Sequence, residues 1–95
     1  MNPPDPGAVL DRGLRAQELL QNSTFLAVID DLSNYNVTAM VASPPGEASR
    51  AAREHHHLMH FAVCEIVQTL QGYAATAVEL ERSAQDDIAE EEQNV

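Results

Sequence analysis

The sequence predicts an all-α fold: an antiparallel helical hairpin with a long C-terminal helix, a shorter N-terminal helix, an extended N-terminal arm and an acidic C-terminal tail. Three observations carry this prediction. From Glu47 to Arg82 the chain holds no proline and a single glycine, Gly72. Within that run Ala52, His55, Met59, Ala62, Ile66, Leu70, Tyr73, Ala77 and Leu80 recur at steps of three and four, which marks one helix face. At ~1.5 Å per residue such a helix is about 50 Å long, and nothing else in the chain is long enough to cover it alone. Ahead of it, Ser43-Pro44-Pro45-Gly46 is a short break of the kind that joins two antiparallel helices. Finally, only Phe25, Tyr35, Phe61 and Tyr73 are aromatic. The core is therefore aliphatic and alanine-rich, which suits helix packing better than a β-sandwich.

Taken in order, residues 1–7 carry three prolines and read as an extended arm. Asp5 is placed to cap a helix whose first residue is Pro6. The first helix is expected over about 8–20 with Leu10, Leu14 and the Leu19/Leu20 pair inward, and Gly13 weakens it by ~1 kcal/mol relative to alanine. Asn22, Ser23 and Thr24 are capping residues that open a second helix over about 24–41. Its inward positions are Phe25, Val28/Ile29, Leu32, Tyr35/Asn36 and Ala39/Met40. Ser33 to Thr38 has poor helix propensity and must be held by packing. The third helix is expected over about 47–82. Residues 83–95 hold five acids and one large apolar residue before the terminus, and read as a frayed or disordered tail or as a strap for a basic surface. The domain plan is thus an arm (1–7), a helical domain (8–82) and a tail (83–95).

Ninety-five residues allow one small domain. A chain of that size buries little more than about 60% of its unfolded surface, so self-association or a larger partner is expected to complete it. Fifteen acidic residues against five arginines and no lysine give a net charge of −10. That balance opposes nucleic-acid binding and docking on anionic lipid, and favours a protein partner with a basic surface. No apolar run approaches the ~20 residues of a membrane span. The N-terminus lacks the basic and apolar segments of a signal peptide. The chain is therefore expected to be neither secreted nor in a membrane, and its single cysteine excludes an internal disulfide.

The chemically loudest cluster is Glu54-His55-His56-His57 with His60. At ~100° per residue the four histidines cannot act together. His55 falls near the centre of the apolar face, whereas His56, His60 and Cys64 form a row on one flank. Imidazole and thiolate are zinc donors, and His56 with His60 could share a metal. Cys64 lies ~12 Å along the axis from His56, so completion would need Asp or Glu from elsewhere or a second chain. The expectation is no metal and no other cofactor. Glu54-x-x-His57 matches half of a di-iron element, but the second half is missing. Cys64 has a histidine one turn away, yet no oxyanion site is positioned beside it. No enzymatic activity is expected.

Candidate binding residues lie elsewhere. Val63, Val67, Ala74 and Val78 flank the main apolar face of the third helix, and Phe61 lies nearly opposite it. Either the first helix covers the valines or they form a partner contact with Phe61 as an anchor. Arg50 and Arg53 stand in the first turns, where positive charge opposes the helix dipole. They are either solvated or paired with acids such as Asp30 and Asp31 or those of another subunit.

Leu19, Leu20, Asn22, Phe25, Ser43, Pro45, Arg53 and Glu54 together resemble a pattern in small helical-hairpin accessory proteins of tailed phages and prophages. That pattern has a leucine pair, an Asn-Pro-x-Phe helix start, a Thr/Ser-x-Pro break and an Arg-Glu leading a second long helix. The resemblance covers about residues 16–80 and departs at Ser23 and His57, where proline and an aromatic are usual. Such proteins are often encoded near head and packaging genes. The resemblance implies a non-enzymatic structural or assembly protein, present in multiple copies on capsid or portal surfaces, in the virion or the host cytoplasm. Two other functions fit the residues: a small acidic adaptor or inhibitor of a host protein, and a histidine-based metal-binding protein.

Overall fold

The structure, a computed structural model, describes residues 5–93. Helix α1 spans Pro6–Leu20, α2 spans Ser23–Ala42, and a 3-10 turn at Glu47–Ser49 leads into α3, Arg50–Gln93. Among the described residues there is no strand, and the fold is all-α. No described helix is long and apolar enough to cross a membrane.

Local chemistry explains each start and stop. The Gly7 amide donates to Asp5 Oδ1 at 3.3 Å, and the Val9 amide to the Asp5 carbonyl at 3.0 Å. With Asp5 as cap, Pro6 takes the first helical position, where its missing N–H costs nothing. Helix α1 therefore begins two residues earlier than the expected Ala8. Residues 1–4 of the expected arm lie outside the described residues. Asn22 Oδ1 accepts from the Phe25 amide at 2.8 Å and caps α2. At the other end Ser43 is extended (φ −67°, ψ 129°), as a residue before proline must be. Its hydroxyl donates to the Ala39 carbonyl at 2.7 Å. Gly46 turns the chain with φ +119°, a conformation that favours glycine.

Helix α3 does not stop at Arg82. Alanine, glutamine and glutamate dominate the stretch that follows, with no glycine or proline to end the helix, and it continues to Gln93 with every side chain from Glu81 to Glu92 exposed. The last two residues of the expected tail lie outside the described residues.

The chain divides into two compact units, α1 with α3 from Thr69 onward, and Gln21–Gln68. In the first, the deepest positions are small residues, and of the four leucines expected inward Leu10 and Leu20 are half-buried. Gly13 and Ala16 are buried, Ala77 is fully buried, and Leu14 and Leu19 are exposed. The Gln17 side chain donates to the Ala74 carbonyl at 3.4 Å, and the Arg12 guanidinium lies 3.9 Å from the Tyr73 ring centre. Leu70, Tyr73, Ala77 and Leu80 do face inward, as their spacing predicts.

In the second unit the expected face of α3 is displaced. Ala52, His55, Met59, Ala62 and Ile66 are exposed, and the inward positions are Arg53, His56, His60, Val63 and Val67. The two sets differ by one residue, or about 100° around the helix. On α2 the expected face holds in part: Phe25, Ile29, Asn36, Ala39 and Met40 turn in, whereas Val28, Leu32 and Tyr35 are exposed and Ser33 is half-buried.

Candidate functional site

What draws the less apolar face inward in Gln21–Gln68 is a set of matched polar groups. Asn36 is 3% exposed, and its Nδ2 donates to the Leu32 carbonyl at 2.8 Å. That leaves Oδ1 as an acceptor, 2.9 Å from His56 Nδ1, so the proton of this contact sits on His56 Nδ1. Ser33 Oγ lies 3.2 Å from His60 Nδ1, and Cys64 Sγ lies 3.7 Å from His60 Nε2. No buried side-chain nitrogen or oxygen among the described residues is left without a partner. Once paired, these groups fix one helix register; unpaired, each would cost about 1–3 kcal/mol.

The Arg53 side chain closes the end of this seam. It donates from Nη1 to the Pro44 carbonyl at 2.6 Å and from Nη2 to the Gly46 carbonyl at 3.1 Å. Within the chain its partners are therefore the carbonyls of the break rather than Asp30 or Asp31. Arg50 is exposed and bridges Glu54 of α3 at 3.1 Å and Glu47 of the preceding 3-10 turn at 3.6 Å.

The other candidates fall into two groups. Val63 is buried and Val67 half-buried in the interior of their unit, so neither offers a surface for a partner. Both valines belong to the unit that contains α2. Phe61 (57% exposed) and Val78 (47% exposed) do stand on the surface, each in a different unit. A shallow apolar depression is lined by Met40, Arg53, Glu54, His57 and Leu58.

Chemically the seam can hold helices together but is poorly built for catalysis. Ser33, His60 and Cys64 are in line, as a nucleophile with an oriented base would be. All three lie within helices, where the neighbouring backbone amides are committed to helix hydrogen bonds and cannot stabilise an oxyanion. Among the described residues no three His, Cys, Asp or Glu side chains are grouped to hold a metal ion. His56 and His60 each spend Nδ1 on a hydrogen bond to α2 instead.

No family model, curated protein or solved structure matches this chain.

Several residues assigned to the core by their spacing are left open, Val28, Leu32 and Tyr35 on α2 and Met59 and Ile66 on α3, while Phe25, Ile29, Asn36, Ala39 and Met40 turn in as expected. A signal for this was present. Ser33 and Asn36 are three apart and His56 and His60 four apart, so each helix carries a polar pair at the spacing of one face. Two such pairs can satisfy each other and turn the more apolar faces outward.

Proposed function

We propose that this chain is a non-enzymatic structural or assembly protein of a tailed phage. In this reading an antiparallel helical hairpin docks on capsid or portal surfaces in multiple copies. The order of the contacts supports the hairpin: Ser33 meets His60 and Asn36 meets His56, and likewise Gly13 meets Ala77 and Gln17 meets Ala74. Later residues of one helix pair with earlier residues of the other.

The observation that carries the functional reading is the distribution of large apolar side chains. Among the described residues none is fully buried, whereas fourteen are exposed, Phe61 and Leu58 among them. A chain that leaves so much apolar surface open completes its burial against another protein. The phage assignment rests on the residues that carry the resemblance. The acidic surface suits a basic docking site.

Co-expression with the head and portal proteins of the same genome, followed by sedimentation of the particles, tests this reading. The chain is expected in the particle fraction, and Phe61→Ala is expected to release it. A chain absent from particles that forms a stoichiometric complex with a host protein would instead establish the acidic adaptor.

A further inference from the structure

The unit formed by α1 and the later part of α3 has a depression of about 400 Å³ of its own. Ala16, Leu19, Leu70 and Tyr73 give it an apolar lining, and Asp11, Arg12 and Arg15 supply its charges. Two arginines against one aspartate make this a positive spot on a chain of net charge −10. The other three arginines are engaged: Arg53 with the carbonyls of the break, Arg50 with Glu47 and Glu54, and Arg82 with Glu79 at 3.8 Å. Arg15 bridges Asp11 at 2.9 Å, an exposed pair of the kind that contributes little. The Arg12 guanidinium lies 3.9 Å from the Tyr73 ring centre. Held over that ring, it keeps its N–H groups for a carboxylate.

An occupant complementary to this spot sets an apolar side chain on the lining and two carboxylates, one helical turn apart, against Arg12 and Arg15. The C-terminal segment of α3 has that form. Ile88 is 56% exposed, and the exposed Asp87 and Glu91, four residues apart on one helix row, flank it. This segment cannot reach the depression of its own chain. Ile88 stands 15 residues beyond Tyr73 on one unbroken helix, about 22 Å along the axis.

We infer that the Arg12/Arg15 depression receives the Asp87–Glu91 segment of a second copy of this chain, and that each copy gives one segment and takes one. Such reciprocity is what a two-fold contact requires. Tyr73 and Asp87 are equally far from Leu80, so two α3 helices crossing antiparallel at Leu80 bring each Asp87 level with the other copy's Tyr73. The two residues are also within about 40° of each other around α3, and so lie on one side of it. In a single dilute chain the segment stays exposed and adds nothing to stability. The inference does not depend on the capsid or portal reading, because Phe61 belongs to the other unit.

Light scattering after size-exclusion chromatography of the full chain tests it, over a concentration series. Sodium chloride at about 0.15 M screens charges more than about 8 Å apart and so limits the general repulsion between acidic chains. The expected result is a dimer that weakens by at least about tenfold in a chain ending at Arg82, in Arg12→Glu with Arg15→Glu, and in Asp87→Arg with Glu91→Arg. Phe61→Glu is expected to have no effect. Charge complementation guards against variants that merely misfold: mixing the two charge-reversed double variants is expected to restore a dimer that neither forms alone. A wild-type chain that is monomeric throughout, including one that takes an acidic segment of another protein at Arg12 and Arg15, would overturn the inference. So would a dimer that survives truncation at Arg82, or a mixture that stays monomeric while both variants keep their helical circular dichroism.

Discussion

Two glycines show how far a residue's meaning depends on what faces it. Gly13 and Gly72 are both interior to helices, where alanine is favoured by roughly 1 kcal/mol. A Cβ on Gly13 would overlap the Ala77 methyl and lie 2.5 Å from the Tyr73 carbonyl oxygen, whereas one on Gly72 meets nothing within 4 Å. The same substitution should therefore have opposite signs. Gly72→Ala is expected to stabilise by about 1 kcal/mol, the ordinary helix-propensity gain. Gly13→Ala incurs an overpacking cost of about 1–3 kcal/mol against that gain, for a net loss on the order of 1 kcal/mol. Denaturant titration of the two variants checks this, and a Gly13→Ala that stabilises would mean α1 does not approach α3 at Ala77. Composition shows only that Gly13 is a poor helix residue; its role as a contact point appears once its neighbour is known. The Asn36–His56 pair is a second case. Asn36→Ala strands the His56 N–H and is expected to cost about 1–3 kcal/mol. Asn36→Leu with His56→Leu removes both groups and should recover most of that loss, which a double-mutant cycle reads directly.

At the scale of elements, termini were more legible than faces. Asp5, Asn22 and the Ser43-Pro44-Pro45-Gly46 break announce where α1 begins and where α2 begins and ends, because caps and prolines act locally. The inward face of α3 depends on what α2 presents, and α2 presents Ser33 and Asn36. Hydropathy ranks Met59 and Ile66 above His56 and His60 as core, and over Arg50–Gln68 it selected a face one residue out of register. Beyond Thr69 the opposing element is α1, small and unpolar at Gly13 and Ala16, and there the apolar spacing did identify the inward residues. The C-terminal extension of α3 lies outside either pattern. Its side chains from Glu81 to Glu92 are exposed, and Glu90, Glu91 and Glu92 place negative charge at the end where the helix dipole disfavours it. A chain ending at Arg82 is therefore expected to keep its unfolding free energy within about 0.5 kcal/mol. Amides of residues 83–93 should exchange fastest among those of α3. A large loss of stability on truncation would mean that this segment packs against something in solution.

For the whole molecule, charge and exposed apolar surface pull in opposite directions, and salt separates them. Each copy carries −10, so bringing two together is opposed by long-range repulsion. Screening relieves that repulsion: the Debye length falls from about 30 Å at 0.01 M to about 10 Å at 0.1 M. Where two copies meet through apolar surface, raising sodium chloride across that range is expected to shift self-association to lower protein concentration. Sodium chloride is preferable to sulfate, which strengthens apolar burial on its own account. Docking on a basic surface responds the other way, since screening weakens attraction between opposite charges. Self-association that tightens with salt, alongside capture by a partner that loosens with it, would assign the two activities to different surfaces of one chain. Self-association that loosens with salt would place ion pairs at the contact. Exposed arginines such as Arg50, now bridged to Glu47 and Glu54, would then meet the acids of a neighbouring copy.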